Sequence, residues 1–130
     1  MSDFRTPPAG HKPLPGTVEV AHAAPGLAVV SMRGEHDLST APELMRALER
    51  AAAGSNVLVD LSECSFIDST VIKAFVKTAN TIHARGERLV LVIPPDQTQV
   101  ARVAEMTQLA KLFPIHAARD AALASLDPEQ

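Results

Sequence analysis

The run Leu89-Val90-Leu91-Val92-Ile93 limits the possible folds more than any other feature of the chain. It is aliphatic without alternation, so a strand made from it has no face to leave in water and must be covered on both sides. Its hydrophobicity predicts a central strand. Pro94-Pro95 ends it at once, because proline removes a ladder donor and restricts the residue before it. Val57-Leu58-Val59-Asp60-Leu61 repeats the pattern more weakly. Strands buried on both faces require a sheet clad by helices, and the segments between them supply the helices. Leu44, Met45, Leu48, Ala51 and Ala52 recur at helical spacing, and Gly54 follows as a stop. From about Ser69 to Arg85 the stripe is Ile72, Phe75, Val76, Ala79 and Ile82, with Lys73 and Lys77 outward and Gly86 as the stop.

Residues 1–16 hold prolines at 7, 8, 13 and 15 and show no periodicity, which predicts a disordered N-terminal arm before a domain spanning 17–127. Val18 and Val20 then alternate with Thr17 and Glu19. Ala24-Pro25-Gly26 supplies a turn, and Leu27 to Met32 returns as a second strand, antiparallel to the first. Gly34 to Thr40 reads as a polar loop leading to a helix, with Thr40 and Glu43 as a capping box and Pro42 tolerated in the first turn. Ser62 to Asp68 reads as another loop. A third helix from about Gln97 to Met106 turns Val100, Val103 and Ala104 inward. A short strand from Phe113 to His116 and a helix from Arg119 to Leu126 close the chain. The order β-β-α-β-α-β-α-β-α predicts a single α/β domain. Its mixed sheet has four to five strands, antiparallel at the N-terminal edge and parallel in the middle, with about four helices.

Composition narrows the function. Twelve Lys and Arg face fifteen Asp and Glu for a net charge of −3, and the aromatics are four Phe alone. Neither a phosphate-binding excess of charge nor a base-stacking platform follows, so no nucleic-acid partner is expected. No apolar run nears the roughly 18–20 residues of a membrane span. The first residues lack the apolar stretch of a secretory signal, which predicts a cytoplasmic protein without a membrane partner. The six glycines are scattered singly, the five histidines lie far apart and the single cysteine has no partner. These patterns offer no phosphate loop, metal centre or catalytic constellation. Cys64, in the loop after a strand, reads as an inert thiol.

Two polar clusters remain, each where a strand hands over to a helix, the place where open α/β sheets gather their sites. One is Glu35-His36-Asp37 with the following Ser39, and the other is Asp68-Ser69-Thr70. A phosphate on Ser69 would sit at a helix start, where backbone donors favour negative charge. On the residues alone, Asp68 and Ser69 as plain helix caps is the favoured reading.

The stretch from Val18 to about Leu126 resembles a STAS domain, the fold of bacterial anti-sigma factor antagonists. Gly34-Glu35-His36-Asp37 with Ala41-Pro42 resembles the family's Gly-Glu-x-Asp…Ala-Pro segment, and Val57 to Ser62 its central strand. Phe66-Ile67-Asp68-Ser69-Thr70 resembles the segment bearing the phosphorylated residue. Arg85 to Leu91 resembles the lead into the next strand, and Met106-Thr107-Gln108-Leu109 with Leu112-Phe113 the Thr-Gly-Leu…Phe segment. Val71 and Gln108 stand where the family usually has Gly.

The resemblance implies a protein switch, not an enzyme, needing no cofactor of its own. Its partner would be an anti-sigma factor that is itself a serine kinase. Unphosphorylated protein would bind that kinase and free a sigma factor for transcription, for example in a stress response. Phosphorylation of Ser69, with Thr70 as runner-up, would end the binding, and a phosphatase would restore it. The implied partner-binding residues are Glu35, Asp37, Ser39, Asp68, Ser69, Thr70 and Val71. The alternative is a constitutive interaction or scaffold module that is never phosphorylated.

Overall fold

A computed structural model describes residues 14–126. In chain order the elements are β1 (Thr17–Ala24), β2 (Leu27–Glu35), α1 (Ala41–Ala51), β3 (Asn56–Phe66) and α2 (Ser69–His83), followed by β4 (Leu89–Val92), α3 (Thr98–Met106), β5 (Ile115–His116) and α4 (Arg119–Leu126). A 3-10 turn, Leu109–Lys111, precedes β5. The sheet runs β1-β2-β3-β4-β5, with β1 and β2 antiparallel and every other pair parallel. The predicted α/β architecture and mixed sheet are those observed. The middle strand is β3, however; β4 lies one place further out, between β3 and β5.

The unbroken aliphatic runs are explained by what lies on each face. Val30, Met32, Val57, Val59, Leu61, Leu89 and Leu91 pack against α1, α2 and α3. Val29, Leu58, Val90 and Val92 point the other way and meet Ala122 and Leu126 of α4. Both faces of β4 and of Val57 to Leu61 in β3 are therefore dry. Phe75 of α2 meets Phe113 edge to face, with ring centroids 6.5 Å apart.

Four expectations need correction. First, Ser62 to Phe66 is strand and not loop: Arg33, Gly34 and Glu35 pair with Glu63, Cys64 and Phe66, across irregularities after Ser31 and after Gly34. Polar residues in this extension hid it, although only one of its faces is buried. Cys64 accordingly sits buried inside β3.

Second, Thr40 makes no capping bond to α1. Its hydroxyl is taken by His36 Nδ1 at 3.0 Å and by the Asp37 backbone, so the loop claims what the helix was expected to use.

Third, the end of the supposed arm is docked. The Leu14 carbonyl accepts the Glu35 amide at 3.2 Å, and Pro15 bridges to Glu35 in parallel. Residues 1–13 and 127, the rest of the arm and the last residue of the expected domain, lie outside the described residues.

Fourth, Val71 is fully buried against the α-helical side of the sheet, so it cannot be a partner contact. Gln108 is also unusual: with φ of 55° it is the one non-glycine residue in the left-handed region among those described. No helix among the described residues is long and apolar enough to cross a membrane.

Candidate functional site

The site forms where β2 and β3 run out together. Glu35 is paired with Phe66, and the His36 amide donates to the Phe66 carbonyl at 2.9 Å. The turn after β2 and the helix after β3 therefore leave the sheet side by side, which brings the two polar clusters of the sequence into one region.

His36 fixes the first turn from beneath. Its ring is buried, with Nε2 3.1 Å from the Thr17 carbonyl and 3.0 Å from the Arg33 carbonyl. Two acceptors at Nε2 assign its proton to that nitrogen. On the surface above, Asp37 accepts the Ser39 hydroxyl at 2.6 Å and the Ser39 amide at 2.9 Å. These bonds hold the fully exposed Asp37 carboxyl below the ordinary carboxylate range, as a solvated anion. Leu38 between them is 71% exposed, an apolar side chain that the polar pattern of the loop concealed.

The second turn begins at Asp68, whose extended backbone precedes α2 and whose side chain accepts the Thr70 amide at 2.9 Å. The Thr70 hydroxyl donates to the same carboxylate oxygen. Asp68 is thus a helix cap. Ser69 is not: it is the first residue of α2, exposed, and its hydroxyl makes no hydrogen bond among the described residues. Of two adjacent hydroxyls, one is engaged and the other is free.

Beside this turn lies a groove walled by Glu35, Phe66 and Asp68 on one side and by Gln99, Arg102 and Met106 of α3 on the other. Met106 is 75% exposed. Sequence reasoning does not put α3 at the site, although Met106 opens the segment Met106-Thr107-Gln108-Leu109 noted for its resemblance. Neither did it foresee Gln99, whose side-chain amide bonds both backbone groups of Ile67 at 3.0 Å.

Among the described residues no group of three His, Cys, Asp or Glu side chains is placed to hold a metal ion. Cys64, the single thiol, is pushed up to about 11 by burial, which keeps it protonated and unreactive at neutral pH. The exposed Asp37 carboxylate, the half-buried carboxylates of Glu35 and Asp68, the exposed Ser69 hydroxyl and the exposed side chains of Leu38 and Met106 share this end of the sheet.

Comparison with known proteins agrees with this architecture. The sequence model of the family described as STAS domain matches residues 20–122. An anti-sigma-B factor antagonist of Listeria monocytogenes is 33% identical over 88 residues, 66% of this chain and 75% of the relative. The crystal structure of an anti-sigma factor antagonist from Mycobacterium paratuberculosis superimposes with a TM-score of 0.72 at 30% identity, covering 86% of this chain and 94% of that one. The phosphorylated form of the Bacillus cell fate determinant SpoIIAA shares the fold, with a TM-score of 0.65 at 16% identity, over 84% of this chain and 98% of that one.

Proposed function

The chain belongs to the STAS domain family, and from that premise we propose that it is an anti-sigma factor antagonist, a binding switch operated by phosphorylation of Ser69. Its partner is an anti-sigma factor with serine kinase activity, which brings its own ATP. Unphosphorylated protein binds the partner through Glu35, Asp37, Ser39, Asp68, Ser69 and Thr70 and so releases a sigma factor for transcription. A phosphatase reverses the modification.

The observation that carries this reading is the contrast between two neighbouring hydroxyls. Thr70 is tied to Asp68, whereas Ser69 is exposed and unengaged at the start of a fifteen-residue helix. The helix N-terminus tolerates a phosphate on Ser69, so modification leaves the fold intact. A partner feels the change instead. Phosphorylation adds about −1.5 to −2 charges beside Asp68 and in the region of Asp37. The exposed Leu38 and Met106 supply apolar contacts at the same end of the molecule, of the kind that interfaces use. The relatives named as anti-sigma factor antagonists support the choice of partner.

The test is phosphorylation by purified serine-kinase anti-sigma factors of the native host, with ATP, read by peptide mass spectrometry. Wild type and Thr70→Val should gain one phosphate on the peptide holding Ser69, and Ser69→Ala none. Binding without phosphorylation across all these kinases would instead favour the constitutive scaffold.

A further inference from the structure

β4 is too short to pair with the whole of β3. Their parallel ladder covers Val57 to Asp60 and stops when β4 ends at Val92, ahead of Pro94. Beyond that point the β4-side edge of β3 and the segment following it need other partners for their backbone groups. Two glutamines of the α3 region supply them. Gln97 Nε2 donates to the Ser62 carbonyl at 2.6 Å. Gln99 does more: Oε1 accepts the Ile67 amide and Nε2 donates to the Ile67 carbonyl, both at 3.0 Å. A primary amide offers one acceptor and two donors in a plane, so it imitates the missing strand at one residue.

Ile67 itself is buried and lies two residues before Ser69. We infer that Gln99 is a positioning residue: its paired bonds to Ile67 set the direction in which Asp68 and Ser69 are presented, and they couple α3 to the binding surface. The inference rests on the reading of Ser69 given above for its functional consequence, but the clamp itself stands without that reading. A side chain serving only to fill space would act equally well as leucine.

Gln99→Leu and Gln99→Glu separate the two roles. An ionised carboxylate at this position still accepts the Ile67 amide but faces the Ile67 carbonyl without a proton to give. Once protonated, it donates to that carbonyl and restores both bonds. The charged groups of the same groove are Glu35, Asp68 and Arg102, so wild type titrated in parallel accounts for their own effects.

The experiment follows amide chemical shifts of Ile67 to Thr70 by NMR as pH is lowered, in wild type and both variants. The Gln99→Glu signals should move to the wild-type positions as the new carboxyl protonates, while those of Gln99→Leu remain displaced at every pH. Wild-type positions for Gln99→Leu, or no such return for Gln99→Glu, would overturn the inference. Affinity for a purified anti-sigma factor supplies the functional arm, with Gln99→Leu expected at least tenfold weaker than wild type. Equal affinity in that arm would overturn the positioning role. A wild type that binds no anti-sigma factor would sink the reading of Ser69 instead, and the amide shifts would then decide the clamp on their own.

Discussion

Gly34 passes so close to Pro15 that a β-carbon on it would stand 2.5 Å from the Pro15 carbonyl oxygen. Its φ of 77° is also one that residues with side chains rarely adopt. The two constraints act together, since the same contact lets Leu14 and Pro15 dock along the end of β2. Gly34→Ala should therefore lose about 2–4 kcal/mol, combining left-handed strain of about 1–2 kcal/mol with a backbone collision. Chemical denaturation measures the loss, and amide exchange at Glu35 should accelerate as its bond to Leu14 opens. A loss of only about 1–2 kcal/mol, the strain alone, would show that the docking is loose.

Val71 stands in the core. Restoring the glycine usual in the family removes a fully buried side chain and puts glycine into a helix. Val71→Gly should cost about 2–4 kcal/mol, from lost burial, a cavity and lower helix propensity. The unfolding midpoint checks this. An unchanged midpoint would contradict the core role given to Val71.

Gln108 makes the opposite case. It is exposed, and its left-handed backbone is one that glycine occupies without strain. Gln108→Gly should stabilise the protein by about 0.5–1.5 kcal/mol, the relieved strain less the extra entropy of an unfolded glycine. A lower unfolding midpoint for this variant would contradict the conformational argument.

Asp60 and Arg119 predict an acid dependence. Arg119 Nε lies 2.7 Å from Asp60 Oδ2, joining α4 to the middle strand. Burial by itself raises the Asp60 carboxyl, but hydrogen bonds from Ser62 and the Arg119 guanidinium outweigh it and leave the group below its ordinary range. A lowered carboxyl stabilises the fold above its unfolded value, near ~3.9, and loses that contribution as pH falls through the folded value. With Arg119 half exposed and the pair screened by solvent, the contribution is at most about 1 kcal/mol. Asp60→Asn should be less stable than wild type by that amount near neutral pH, with the gap narrowing below about pH 4. A gap independent of pH would remove the charge from the explanation.

The parallel middle of the sheet and the helix stripes were legible because burial on two faces leaves an unmistakable run, as in Leu89 to Val92. The reach of β3 was not, because Ser62 to Phe66 pairs only with β2 and carries polar residues on its open face. Asp37, Asp68 and Ser69 could be singled out from their places at strand ends. The pairing of Asp60 with Arg119 and the clamp of Gln99 on Ile67 link residues distant in sequence, and no local pattern announces them. The burial of Val71, by contrast, is legible: it stands four residues before Phe75, on the stripe that Phe75, Ala79 and Ile82 continue.

The central claim is that charge on Ser69 decides partner binding. Calorimetric titration against a purified serine-kinase anti-sigma factor tests it most directly, using wild type, Ser69→Ala, Ser69→Asp and enzymatically phosphorylated protein. Ser69→Ala should bind like wild type. The phosphorylated form should bind about a hundredfold more weakly or worse, equivalent to about 3 kcal/mol, with Ser69→Asp between the two. Equal affinity for the phosphorylated and unphosphorylated proteins would contradict the switch.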